Sequence, residues 1–227
     1  MKAPTPTPLG WLREGLGLLE LPRLFLRFPE LARQPRGHGE PVMVLPGYAA
    51  GDASTLVLRQ YLRFLGYGVR GWGLGVNSGD VGALLPRVLR RVDRLASASG
   101  EAVRLIGWSL GGVLARETAR EAPGIVRRVI TLGSPIVGGP KYTAVAVFYR
   151  SQGVDLDAIE AAIEARDATP IRVPITAIHS RADGVVAWQA CIDRRSPDVE
   201  NLEVSATHLG LGFAADVYRL IAERLAL

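Results

Sequence analysis

Residues 103–112 read VRLIGWSLGG. An apolar run, Val103–Ile106, meets the turn Gly107-Trp108-Ser109-Leu110-Gly111, and from Leu110 to about Glu121 the apolar spacing becomes helical. A strand that turns sharply into a helix lifts the middle side chain, here Ser109, clear of the backbone. Such a turn crowds its neighbours, and small residues must flank it, as Gly107 and Gly111 do. The helix N-terminus behind Ser109 adds positive potential beside the hydroxyl. A G-x-S-x-G match carries chemical weight only with a strand before it and a helix after it, and both are present here.

Working outward, the same alternation continues. Upstream, Val42-Met43-Val44-Leu45 closes on Pro46-Gly47, a helix is expected over about 54–65, a run through Gly68-Val69-Arg70 leads to Trp72, and a helix over about 80–98 ends at Gly100. Downstream come Val126–Leu132 closing on Gly133-Ser134-Pro135, then Ile175–His179, Leu202–Val204 and a final helix from about Phe213 to Leu225. Strands alternating with helices predict an α/β fold: a mostly parallel sheet of about six strands flanked by helices. Near-continuous apolar strands such as Val42–Leu45 fit burial on both faces. Residues 138–173 interrupt the alternation with a helix over Leu156–Arg166, and are read as a small helical lid or pocket wall. Chemistry in such sheets lies outside the carboxyl ends of the strands.

Ahead of this domain, placed at 41–227, residues 1–40 form an N-terminal arm. Residues 1–8 are Pro/Thr-rich and expected to be disordered. Over 9–34, Leu9, Leu12, Leu16 and Leu19 and then Leu24, Phe25, Phe28 and Leu31 have roughly helical spacing, with Pro22 expected to break the stretch into two short helices. Two readings stand: an arm packed on the domain, or a peripheral membrane contact through residues 9–34, since Trp, Phe and Leu mix with Arg13, Arg23 and Arg27. Glu14 and Glu20 count against the second.

The chain has 227 residues, a length that suits one domain. Its net charge of +5 comes from 27 Lys and Arg against 22 Asp and Glu, and only Lys2 and Lys141 are lysines. No basic cluster is interleaved with aromatics, so no nucleic-acid partner is expected. Cys191 is the single cysteine, which excludes an intramolecular disulfide and a cysteine-built metal site, and leans toward a reducing, cytoplasmic location. MKAPTPTPLG has prolines where an apolar signal core would begin, and no stretch reaches the ~18 apolar residues of a membrane span. The sequence is silent on oligomeric state.

With strand, serine turn and helix in register, the chain resembles the α/β-hydrolases, and among them the small lipases and esterases, over residues 41–226. The family order is nucleophile, acid, histidine. The resemblance implies Ser109 as nucleophile. Of the three histidines, His38 precedes the serine and His179 falls in an apolar strand, whereas His208, in Thr207-His208-Leu209-Gly210, follows the last strand where the family carries its base. Asp183, in Ser180-Arg181-Ala182-Asp183-Gly184-Val185-Val186, resembles the family's acid loop; Asp193 and Asp198 compete from deeper in the connection. A serine hydroxyl needs an adjacent base, and the base an orienting acid. The backbone N–H groups of Leu110 and Tyr48 are implied as oxyanion donors, the latter from Leu45-Pro46-Gly47-Tyr48-Ala49, in which Pro46 replaces the family's usual His and leaves Ala49 as an alternative. Trp108 is expected to contact substrate.

Thr131–Pro135 and Gly73–Gly79 also resemble lipase-like segments and are assigned no chemistry. Ile136-Val137-Gly138-Gly139 stands where lipases carry His-x-Gly after Gly-Ser-Pro, a departure from triglyceride lipases. The implied function is hydrolysis of carboxylic esters with an apolar acyl group, on a small-molecule or lipid substrate, through an acyl-enzyme. An acyltransferase or thioesterase would use the same triad, and a non-catalytic binding module is the third reading. No metal or organic cofactor is expected.

Overall fold

The structure, a computed structural model, describes residues 8–227. The segment expected to be disordered therefore lies outside the described residues, apart from Pro8. Six strands, β1 (Pro41–Leu45), β2 (Gly68–Gly71), β3 (Val103–Trp108), β4 (Val126–Leu132), β5 (Ile175–His179) and β6 (Val199–Glu203), form one sheet in the order β2-β1-β3-β4-β5-β6. Every neighbouring pair is parallel. The helices are α1 (Pro8–Arg13), α2 (Glu20–Leu26), α3 (Phe28–Leu31), α4 (Leu56–Phe64), α5 (Val81–Ser99), α6 (Leu110–Glu121), α7 (Ala146–Ser151), α8 (Leu156–Arg166) and α9 (Ala215–Leu225).

Alternation along the strands feeds two cores. Val42, Val44, Ile106, Ile130, Leu132 and Ile178 face one way and pack with α4 and α9. Met43, Leu45, Val103, Leu105, Val129 and Ile175 face the other and pack with α5 and α6. All five residues of β1 are buried, as its apolar run requires. Each such aliphatic side chain stabilises the fold by about 1.5–3 kcal/mol relative to exposure. The order reverses after β2, which places the switch point of the sheet between the carboxyl ends of β1 and β3. The loop Pro46–Ala49 and Ser109 meet there.

Two local expectations are corrected. Pro22 does not break the arm: it sits in the first turn of α2, where its missing N–H would have had no intrahelical acceptor. The break falls at Arg27, ahead of the Phe28-Pro29 start of α3. Strand β6 begins at Val199, not Leu202, because it is an edge strand, paired among the described residues with β5 alone, and carries the exposed polar residues Glu200, Asn201 and Glu203.

The arm lies on the domain with Glu14, Leu24 and Leu31 buried, and the Tyr61 hydroxyl of α4 donates to the Leu31 carbonyl at 3.2 Å. Its other face leaves Leu12, Leu16, Phe25 and Leu26 more than half exposed. Among the described residues no helix is long and apolar enough to cross a membrane.

Candidate active site

The site begins with backbone strain. Between β3 and α6, Ser109 adopts φ 53° and ψ −123°. A non-glycine residue held in such a region costs about 1–3 kcal/mol and persists only where its surroundings enforce it. The enforcing contacts are visible: the Ser109 N–H donates to the Leu132 carbonyl at 2.7 Å, and the Gly112 N–H to the Ser109 carbonyl at 2.9 Å. A Cβ on Gly107 would lie 2.3 Å from the Gly111 carbonyl oxygen, and one on Gly111 would lie 2.3 Å from that of Leu45. The turn therefore admits only glycine at both positions.

Asp183 and His208, on the loops after β5 and β6, come together. Asp183 Oδ2 lies 2.7 Å from His208 Nδ1. Asp183 Oδ1 accepts the N–H groups of Val185 and Val186 at 2.8 and 2.7 Å, which fixes the carboxylate plane. Both side chains are buried, at 1% and 7% exposure. Burial alone would lower the His208 pKa, but the facing Asp183 carboxylate and the charge of Glu14 outweigh it and hold the imidazole above its ordinary value. Gly133, at the end of β4, has φ 54°, and a Cβ there would stand 2.9 Å from Asp183 Oδ2 and 3.0 Å from His208 Nδ1. The Trp108 indole Nε1–H donates to the His208 carbonyl at 3.2 Å, so Trp108 both holds the histidine loop and lines the cavity.

The remaining histidines and acids sit elsewhere. His38 is exposed on the loop before β1, at the amino edge of the sheet, away from Ser109. His179 is buried and stacks on Trp188 at 6.0 Å, and burial lowers its pKa. Asp193 forms a buried ion pair with Arg116 at 2.8 Å. Burial pushes its pKa up, but Arg116 and hydrogen bonds from Ser196 and Arg195 prevail and hold it at about 2. The Asp198 carbonyl accepts from Ile175 at the start of β5.

The loop after β1 bears on the choice between Tyr48 and Ala49. The Ala49 N–H is already donated to the Asn77 carbonyl at 2.9 Å. No loop carbonyl or side chain among the described residues accepts from the Tyr48 or Leu110 N–H, and Leu110 opens α6, where an N–H has no intrahelical acceptor. Fully buried Asn77 braces this loop: its side-chain amide donates to the Pro46 carbonyl at 2.9 Å and its side-chain oxygen accepts the Gly79 N–H at 3.1 Å. In the sequence Asn77 stands out only as part of the lipase-like segment Gly73–Gly79, to which no chemistry is assigned.

Tyr48, Trp108, Ser109, Leu110 and His208 border one cavity of about 920 Å³. It runs under the segment between β4 and β5, where Val145, Ile159 and Ile163 supply apolar walls with Val113 and Ile136. Helix α7, which the sequence did not disclose, contributes Tyr149, whose ring stands 6.0 Å from that of Tyr48. The far end is charged: Arg166 approaches Glu117 at 3.5 Å, and Arg120 pairs with Asp167 at 2.9 Å. Among the described residues no group of three or more His, Cys, Asp or Glu is placed to hold a metal ion. A serine, the imidazole of a buried acid–imidazole pair and two residues whose main-chain N–H groups have no acceptor among the described residues border this one largely apolar cavity, and such groups are the parts an acyl-transfer site needs.

No family model matches the chain, and no curated protein is similar to it in sequence. Solved structures are similar. Alpha/beta hydrolase domain-containing protein 10 from mouse superposes with a TM-score of 0.59 at 19% identity, over 85% of this chain and 90% of that one. A monoacylglycerol lipase of Paleococcus ferrophilus gives 0.60 at 18% identity, over 83% and 96%. The Bacillus licheniformis lipase BlEst2 in mature form gives 0.63 at 15% identity, over 86% and 94%. At these identities the likeness speaks for architecture, and with the six-stranded parallel sheet and its flanking helices it establishes that this chain has the α/β-hydrolase fold.

Proposed function

We propose that the chain is a serine hydrolase that cleaves carboxylic esters with an apolar acyl group. The observation that carries this is the buried Asp183–His208 pair at 2.7 Å, whose imidazole borders the same largely apolar cavity as the strained Ser109. His208 Nε2 takes the Ser109 proton as Oγ attacks the ester carbonyl carbon. Asp183 keeps the remaining imidazole proton on Nδ1 and stabilises the imidazolium. The Tyr48 and Leu110 N–H groups receive the negative oxygen of the tetrahedral intermediate. His208 then gives its proton to the leaving alkoxide, which leaves an acyl group on Ser109. Water, deprotonated by the same imidazole, releases the acid. The acyl chain lies along Trp108, Val113, Ile159 and Ile163, under the α7–α8 segment acting as a lid. That two similar structures are lipases by name supports the reading.

The test is hydrolysis of p-nitrophenyl esters from acetyl to palmitoyl by wild type and Ser109→Ala in parallel. Cleavage by wild type alone supports the reading. Equal cleavage by both, or none by either, contradicts it. Added alcohols separate hydrolysis from acyl transfer by the products formed. Helix α8 sets the expected chain-length optimum: Ile163→Trp fills the cavity beneath it and moves the optimum toward shorter acyl groups, read from kcat/KM across the same series.

The pH profile follows from the direction of the His208 shift. The base must be neutral to accept the Ser109 proton, so activity falls as pH drops through its pKa. Because Asp183 and Glu14 raise that pKa, the acidic limb of kcat/KM is expected above the ordinary imidazole value of about 6.5. A limb below that value contradicts the assignment of His208 as base.

A further inference from the structure

Glu14 lies in the short 3-10 helix Glu14–Leu19 of the arm and is buried, at 5% exposure. Its hydrogen bonds come from the main chain of both site loops. Oε1 accepts the Gly184 N–H at 2.7 Å and the His208 N–H at 3.1 Å, and Oε2 accepts the Leu209 N–H at 2.8 Å. One carboxylate thus joins the residue after Asp183 to His208 itself. We propose that Glu14 is a positioning residue: from the N-terminal arm it holds the Asp183 loop and the His208 loop in one register, so the arm is part of the site. This rests on the triad reading above.

The fit around Glu14 is built from both sides. A Cβ on Gly184 would lie 2.3 Å from the Gly10 carbonyl oxygen, and one on Gly17 would lie 2.6 Å from both the Gly210 nitrogen and Thr207 Oγ1. Glycines on arm and loop therefore permit the close approach. Apolar contact would suffice to dock an arm; a buried carboxylate is costly unless its oxygens are bonded, and here they are bonded to the two loops that carry the acid and the base. The charged groups acting on His208 are Asp183 from the loop after β5 and Glu14 from the arm, while β3 presents the uncharged Trp108 ring at 6.4 Å. Glu14 therefore supplies a second negative charge that favours the imidazolium formed during turnover.

The experiment uses full-length Glu14→Gln, Glu14→Asp and Gly17→Ala, with kcat and KM on a p-nitrophenyl ester and the His208 imidazole titration by NMR. With three histidines in the chain, His208 is identified by loss of its signal in a His208→Gln sample. Gln turns an N–H₂ toward one of the three donors and removes the charge. It is expected to lower kcat by about 100-fold, the cost of a small misplacement of reacting groups, with KM close to wild type. The His208 titration is expected to move down. Asp keeps the charge and is expected to recover part of kcat and most of the titration shift. Gly17→Ala pries the arm from the histidine loop with Glu14 intact and is expected to lower both readouts. A folded Glu14→Gln with wild-type kcat and wild-type His208 titration overturns the proposal, even if its Tm falls. If Glu14→Gln does not fold, unchanged readouts in Gly17→Ala overturn it. The titration does not depend on turnover, so a wild type with no Ser109-dependent cleavage defeats the ester reading and still leaves the hold of Glu14 on His208 measured.

Discussion

Ser109→Ala is expected to lower ester turnover by about a million-fold while leaving KM and Tm close to wild type. The change removes one oxygen and nothing that supports the fold: the two hydrogen bonds recorded at Ser109 in the turn use its main chain, to Leu132 and from Gly112. The backbone strain at φ 53° is borne equally by alanine. What disappears is the acyl-enzyme route, and with it about 8 kcal/mol of transition-state stabilisation. The Tyr48 and Leu110 donors and the cavity would remain, so the variant should still exceed the uncatalysed rate. A loss of less than tenfold would mean that another group attacks the ester.

Asp183→Asn is expected to cost about 10,000-fold in kcat, with little change in KM. Asp183 Oδ1 is committed to the Val185 and Val186 N–H groups, and only a carbonyl oxygen can replace it there. The asparagine N–H₂ must then face His208 Nδ1, which can only accept from it. The imidazole proton moves to Nε2, the atom that must be free to take the Ser109 proton. The acidic limb should shift as well. Asp183 is the largest influence raising the His208 pKa, and without its charge the burial of the ring lowers it. An Asp183→Asn enzyme with near-wild-type kcat would point to a different acid. Asp193 is poorly suited to that part, since its carboxylate is engaged by Arg116, Arg195 and Ser196.

What the sequence made legible was local in origin. The Ser109 turn could be read because its glycines, strand and helix adjoin it, and the buried strands because both their faces are apolar. Asp183 and His208 were indicated by the resemblance to the α/β-hydrolases, each just past the end of a strand. The rest depends on contacts between distant segments. Strand β6 is polar along an exposed edge, so hydrophobic periodicity under-marks it. Pro22 looked like a breaker because its position within the turn of α2 was not visible. Asn77 acts through Pro46, 31 positions away, and Glu14 through His208, 194 positions away. Neither leaves a pattern near itself. Glu14 even counted, in the sequence, only as a charge against membrane contact.

In the proposed mechanism Ser109 is a nucleophile activated by His208 and Asp183. The activated serine is tested by reaction of the full-length protein with a fluorophosphonate, followed by intact mass measurement and peptide mapping. The expected result is one phosphonyl group per chain, carried on Ser109, with none on Ser109→Ala and much slower labelling of Asp183→Asn. A protein that stays unlabelled, or that carries the group on another residue while Ser109 is free, would contradict it.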